Sequence, residues 1–312
     1  MRIGIDIMGG DYAPREAVKG LADHLAAGTN SAGFVLFGNA EEVRPLLEER
    51  GLTDDRITLV NTTQVIGMQE HPTRAFREKT DASITVGFGW LAAGKTDAFI
   101  SAGNTGAMLV GALFSIQPIE GVIRPAISTI IPKLDGGTGL LLDVGLNADC
   151  KPEQLNQFAT MGSVYAQQVL GIDNPGVGLI NVGEEEGKGN LLAQATYPLL
   201  KENRQIRFIG NIEGRDLFTG PADVMVCEGF TGNIILKMAE SLFDIGRARQ
   251  ITDPYLERFN FENYGGTPVL GISKPVIIGH GISGARAFRN MISLAERMIG
   301  TDVMQKLKEG LS

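Results

Sequence analysis

Short apolar runs alternate along this chain with longer stretches in which apolar positions recur every three or four residues. The runs at 2–6, 34–38, 57–61, 97–100, 177–182, 206–209, 224–227 and 276–278 are nearly continuous in apolar residues, the pattern of strands buried on both faces. The stretches at 15–26, 40–50, 83–93, 152–169, 190–201, 233–245 and 285–299 carry helical periodicity, and Pro14 stands where the first of them starts. The runs 126–131 and 139–144 are joined by Pro132-Lys133-Leu134-Asp135-Gly136-Gly137, which predicts an antiparallel hairpin inside an otherwise parallel sheet. Strand–helix alternation of this kind predicts right-handed βαβ units and a doubly wound α/β sheet. No linker, internal repeat or low-complexity tract interrupts it, so residues 1–312 read as a single α/β domain.

Composition narrows the function classes. With 43% hydrophobic and 21% charged residues, the 312-residue chain can bury a large core. No apolar run approaches the ~18 residues of a membrane span, and the opening Met1-Arg2-Ile3-Gly4-Ile5-Asp6 reads as a strand rather than a charged leader. Cys150 and Cys227 are the only cysteines beside three histidines, which makes neither a disulfide framework nor a zinc site and points to a reducing cytoplasm. A net charge of −8 argues against a nucleic-acid backbone as ligand.

Six polar, glycine-rich clusters follow strand-like runs. They are Asp6-Ile7-Met8-Gly9-Gly10-Asp11, Ser101-Ala102-Gly103-Asn104-Thr105-Gly106, Asp143-Val144-Gly145-Leu146-Asn147, Asn181-Val182-Gly183-Glu184, Glu228-Gly229-Phe230-Thr231-Gly232-Asn233 and His280-Gly281-Ile282-Ser283. In an open parallel sheet, ligands bind at the carboxyl ends of the strands, so scattered clusters converge there. Gly4, Gly9 and Gly10 lack the spacing of a dinucleotide fingerprint. The cluster around Ser101 offers donors without an acidic residue, as a phosphate cradle requires, although Ser101 or Asn104 would equally serve as a helix cap. The stretch 183–190 fails the P-loop pattern, because Val182 and Gly189 stand where glycine and Ser/Thr are needed, yet Lys188 between two glycines can still reach a phosphate. Thr231 or Asn233 reads as the cap of a helix starting at Ile234, and the charges in Asn211-Ile212-Glu213-Gly214-Arg215-Asp216 suit an internal ion pair as well as a ligand. No histidine follows His280, which removes a serine-hydrolase reading of His280-Gly281-Ile282-Ser283. His24 reads as an exposed helix residue, and 71–79 as a loop carrying His71, Arg74, Arg77 and Lys79.

Taken in order with Arg124-Pro125-Ala126, Met161-Gly162-Ser163, Glu184–Asn190, Gly210–Asp216, Lys237 and Tyr264-Gly265-Gly266, these motifs resemble the acyl-ACP:phosphate acyltransferase (PlsX) family over nearly the whole chain. The resemblance implies a Rossmann-like three-layer α/β/α fold, similar to phosphotransacetylases and isocitrate dehydrogenase-like enzymes. It implies a homodimer that moves a long acyl chain from acyl carrier protein to inorganic phosphate, without metal or organic cofactor. The acyl phosphate would feed a glycerol-3-phosphate acyltransferase, and the enzyme would be cytoplasmic or peripheral at the inner face of the membrane. Residues 240–263 match a dimer or membrane-contact segment that is longer and more apolar in the family.

On this reading phosphate is assigned to Ser101, Gly103, Asn104, Thr105 and Lys188, the oxyanion to Asn233 with the turn at Gly232, and acid–base work to His280. Asp6, Gly9, Gly10, Asp11, Asp143, Asn147, Glu184, Arg215 and Thr231 complete the expected substrate-binding set, the aspartates and Asn147 orienting the others. Arg247, Arg249 and Arg258, or Arg286, Arg289 and Arg297, are candidate contacts for the acidic carrier protein. The alternatives are a phosphotransacetylase-like enzyme on short acyl-CoA and a non-enzymatic scaffold for lipid synthesis.

Overall fold

The structure is a computed structural model that describes residues 1–28 and 32–311. The chain forms two compact units, one of residues 1–118 and 261–300, the other of 119–260 and 301–312. In chain order the first unit begins with β1 (Arg2–Asp6), α1 (Arg15–Ala26), β2 (Gly33–Gly38), α2 (Ala40–Glu49), β3 (Ile57–Asn61), α3 (Pro72–Glu78), α4 (Ser83–Ala92), β4 (Ala98–Ser101) and α5 (Thr105–Gly111). The second holds β5 (Ala126–Pro132), β6 (Thr138–Leu142), α6 (Pro152–Gln168), β7 (Gly176–Ile180), α7 (Leu191–Glu202), β8 (Arg207–Ile212), β9 (Val224–Val226) and α8 (Gly229–Ala248). The chain then returns to the first unit with β10 (Thr267–Leu270), β11 (Val276–Ile278) and α9 (Ala285–Gly300), and α10 (Val303–Leu311) closes the second.

In the first unit the strand order is β3-β2-β1-β4-β11-β10, parallel except for β10 against β11. Ile3 and Ile5 of β1, Phe34 and Leu36 of β2 and Phe99 of β4 are all buried, which is why these strands read as unbroken apolar runs. Helix α1 packs on α9 through the face Ala17, Val18, Leu21 and His24, spaced three and four apart. His24 is therefore not exposed. It is 4% accessible, pairs with Glu296 at 3.2 Å and meets Phe34 edge-on. Its position seven residues after Ala17 places it on the buried face, and Glu296 satisfies the ring inside. Residues 72–78 are also helical rather than loop, with Pro72 in the first turn.

In the second unit the order is β5-β6-β9-β7-β8, with the predicted hairpin β5–β6 antiparallel and the other pairs parallel. Helix α6 covers β6 and β9 with Leu155, Phe158, Ala159 and Met161, and α10 packs on α6. Beyond α8 the chain folds back on the hairpin turn. Tyr255 donates its hydroxyl to the Pro132 carbonyl at 3.0 Å, and Arg258 donates to the carbonyls of Lys133 (2.8 Å) and Gly137 (2.5 Å). Phe259 is buried edge-on against Phe218 and Tyr255. Arg258 is thus engaged by the hairpin rather than offered to a partner.

The α1–α9 contact hinges on Gly20. A Cβ there would lie 2.5 Å from Phe288 Cβ and 2.6 Å from the Ala285 carbonyl oxygen, which is backbone and cannot swing away. Alanine gains about 1 kcal/mol in helix propensity, whereas overpacking costs about 1–3 kcal/mol. Gly20→Ala is therefore expected to lose about 1 kcal/mol of stability in urea denaturation; a gain would show that the helices separate freely.

Candidate active site

Parallel pairing brings the carboxyl ends of β1, β4 and β11 to one edge of the first unit. Asp6 ends β1 and is fully buried. Ser101 Oγ, at the end of β4, donates to Asp6 Oδ2 at 2.6 Å and accepts from the Gly103 N–H at 2.9 Å. Met8 N–H donates to Asp6 Oδ1 at 3.1 Å. Burial pushes the Asp6 carboxyl above its ordinary range in spite of hydrogen bonds from Ser101 and Met8 and the polar groups of Ser83 and Gly9 nearby. Gly9 passes so close to this pair that a Cβ would come within 2.6 Å of Gly103 N. The Asp11 N–H donates to Gly281 O and the Gly279 N–H to Ser101 O, both at 2.7 Å, so the three loops form one assembly.

Not every donor expected of a phosphate cradle is turned outward. Asn104 Oδ1 caps α5 by accepting from Ala107 N–H at 3.0 Å, and Nδ2 donates to the carbonyls of Gly67 (2.9 Å) and Glu70 (3.1 Å). Ser101 and Asn104 are engaged inside the chain, because a buried strand end needs its polar groups satisfied. Thr105, Asp11 and His280 are exposed, and Gly10 is half-buried. His280 lies 4.9 Å from the Phe261 ring, and its Nδ1 faces the Ile282 N–H at 3.4 Å.

In the second unit β6, β9, β7 and β8 run parallel and deliver Asp143, Glu228, Asn181 and Glu213 to one edge. Asp143 is buried and accepts four hydrogen bonds: Oδ1 from the N–H groups of Ile127 (3.0 Å) and Leu146 (3.3 Å), Oδ2 from the N–H (2.6 Å) and Nδ2 (2.9 Å) of Asn147. Burial again outweighs these bonds and raises the carboxyl. Asn147 also donates to Pro125 O at 2.8 Å. Helix α8 starts at Gly229, five residues earlier than expected, and its N-cap is Glu228, which accepts from the Thr231 N–H at 3.2 Å and from its hydroxyl. Neither Thr231 nor Asn233 is the cap. A side chain at Gly232 would overlap the Asp143 carbonyl, so α8 abuts the 143–147 loop. Asn233, exposed, donates Nδ2 to Val144 O at 3.1 Å.

Cys150 and Cys227 lie beside this loop, their sulfurs 3.7 Å from Asn147 O and 3.8 Å from Asp143 O. Burial, then the charges of Asp143 and Glu228, push the Cys150 thiol up to about 12, and burial raises Cys227 well above its ordinary value. Both stay protonated near neutrality, unlike a nucleophilic cysteine.

The 183–190 loop presents Lys188 to solvent. Three glutamates precede it, yet among the described residues none pairs with it. Glu186 bridges to Lys201 at 3.0 Å, and Glu184 lies with Glu213 and Asp216, one carboxylate oxygen of each within 4.8 Å of the others. Among the described residues these three are the carboxylate group most able to hold a cation, but Arg215 already pairs with Glu213, and Glu213 and Asp216 cap the short turn Gly214–Leu217. Arg215 thus serves its neighbour. Sequence reading gave Ser83 no role and named Asn211 only as the first residue of the charged cluster 211–216. Ser83 carries no signal beyond its place at a helix start; Asn211 is an amide at the end of an apolar run, a signal overshadowed by the charges after it.

Solved structures share the fold. A phosphotransacetylase from Streptococcus pyogenes matches with TM-score 0.68 at 19% identity over 96% of this chain and 94% of that one. The EutD phosphotransacetylase from Staphylococcus aureus gives 0.64 at 16%, with the same coverage. Much closer in sequence is a phosphate acyltransferase from Dictyoglomus turgidum, 43% identical over 331 positions that cover 100% of this chain and 98% of the relative. Another, from Thermoanaerobacterium thermosaccharolyticum, is 44% identical over 328 positions, covering 99% and 96%. Both alignments are longer than this 312-residue chain, so these relatives carry residues that it lacks. A family model described as "Fatty acid synthesis protein" matches residues 1–306, and the chain belongs to that family.

Proposed function

We propose that this protein is a phosphate acyltransferase of lipid synthesis that moves a long fatty acyl group from the thioester of acyl carrier protein to inorganic phosphate. Its membership of the family and its likeness to phosphate acyltransferases along the full chain support the reaction class. The observation that carries the site is Lys188, an exposed ammonium without an ion pair among the described residues, while Glu186 bridges to Lys201 and Glu213 to Arg215.

Phosphate needs no activation into a nucleophile near neutrality; it needs to be held against the thioester. A phosphate oxygen attacks the thioester carbon, the tetrahedral intermediate collapses with loss of the C–S bond, and acyl phosphate and carrier thiol leave. Lys188, in the second unit, neutralises phosphate charge. Asn233, anchored at Val144, and the turn N–H groups at Gly232 stabilise the oxyanion. Within the first unit taken by itself, Thr105 and the loop N–H groups offer donors suited to a phosphate, and the exposed His280 offers a group for acid–base work. Gly103 lets the chain pass over the Asp6–Ser101 pair.

Acyl phosphate is a mixed anhydride, and a glycerol-3-phosphate acyltransferase is the acceptor enzyme that consumes it. The protein works as a homodimer in the cytoplasm, peripherally at the inner face of the membrane. Phe230, Ile234 and Met238 support that reading, being exposed at helical spacing on α8. No helix among the described residues is long and apolar enough to cross a membrane. The fold likeness to phosphotransacetylases favours one second reading, a short acyl-CoA as donor.

The test is release of carrier thiol from palmitoyl-ACP, with acyl phosphate trapped by hydroxylamine. Release is expected only when phosphate is present, and much faster than phosphate-dependent release of CoA from acetyl-CoA; the reverse preference would establish the second reading, and no release from either a scaffold. Lys188→Met is expected to raise KM for phosphate about tenfold, the loss of one charged contact. His280→Asn is expected to lower kcat about a hundredfold at unchanged KM for phosphate; full activity would remove it from acid–base work.

A further inference from the structure

The 183–190 loop is gripped from below by two amides that none of these roles uses. Asn211, on β8, donates Nδ2 to Glu185 O at 2.9 Å. Asn181, just past the end of β7, donates Nδ2 to Lys188 O at 3.1 Å. The two strands are adjacent, and the Asn181 N–H continues their ladder by donating to Ile212 O at 2.8 Å. Between the gripped carbonyls runs a tight turn, closed by Lys188 N–H to Glu185 O at 3.1 Å, so Glu185 O accepts twice. Gly189 follows with φ +95°, and a Cβ there would overlap Asn181 Oδ1, so lysine and grip are fitted to one backbone path. The stem of Lys188 crosses Gly183, whose Cβ position lies 3.2 Å from Lys188 Cγ.

Asn211 is a costly residue for packing alone. It is 7% accessible, and its Oδ1 is buried with no hydrogen-bond partner. A leucine of similar size would fill the site without an orphaned acceptor, so the donor half of the amide is what the position retains. Its partner, Glu185 O, belongs to the turn that aims Lys188.

We propose that Asn211 and Asn181 are positioning residues that fix the 183–190 turn so that the Lys188 ammonium meets the phosphate in a set geometry. The inference rests on the assignment of Lys188 to phosphate. Both amides act through the lysine, and neither touches substrate. Misplacement of a binding group by about 1 Å is enough for large losses, whereas a residue that only stabilises the fold would lower thermal stability and leave KM alone.

The test is a double-mutant cycle read in kcat, KM for phosphate and melting temperature on the full chain. Asn211→Leu removes the donor and adds no charge. It is expected to raise KM for phosphate about tenfold with kcat within about twofold, and to add less than about twofold in the Lys188→Met background, because groups acting through one another are non-additive. An unchanged KM in Asn211→Leu, or a tenfold effect that multiplies fully onto that of Lys188→Met, overturns the inference. Lys188→Met with an unchanged KM instead overturns the lysine assignment, and the inference with it. Asn181→Ala, at a half-buried position, runs through the same cycle with the same expectations and decides the matter if Asn211→Leu does not melt cooperatively.

Discussion

Two buried aspartates hold the loops of this protein from the inside. Asp6 and Asp143 each sit at the carboxyl end of a strand, one in each unit, away from solvent. Desolvating a carboxylate costs several kcal/mol, and bonds to charged groups return about 1.5–3 kcal/mol each. The raised carboxyl pKa values say that burial wins locally. What the arrangement provides is geometry. Asp143 draws Ile127, Leu146 and Asn147 onto one group, and the resulting loop seats the start of α8. Asp6 does the same through Ser101 and Met8 for the loops that end at Asp11 and His280.

Polar groups at the strand ends therefore divide by direction. Asp6, Ser101, Asn104, Asp143 and Asn147 turn inward and are satisfied within the chain. Thr105, Lys188, Asn233 and His280 are exposed, Asn233 while bonded to Val144 O and His280 while lying against Phe261. In each unit the inward set ties the strand-end backbone by hydrogen bonds, and the exposed set stands on the backbone so tied. In the second unit the same logic recurs one layer out, where Asn181 and Asn211 hold a turn whose only exposed cation is Lys188.

The strand–helix alternation and the β5–β6 hairpin were legible because buried parallel strands are unbroken apolar runs and the link between them is rich in turn residues. The clustering of polar motifs at sheet edges was legible for the same topological reason. Direction was not. Ser101, Asn104 and Thr105 are consecutive polar positions of one motif, and only the contacts to Asp6 and to the Gly67 and Glu70 carbonyls separate the first two from the third. The start of α8 was missed because Glu228 caps through its carboxylate while Gly229 and Gly232 read as a turn. His24 was misplaced because its partner Glu296 is far away in sequence.

Hydrogen exchange of individual amides in Asp143→Ala against the wild-type protein tests the inward role of Asp143 most directly. The N–H groups of Ile127, Leu146 and Asn147 are expected to lose protection by on the order of tenfold or more, while amides in α6 keep theirs. Unchanged protection at all three, with acyl transfer abolished, would contradict it and make Asp143 a group that acts on the substrate.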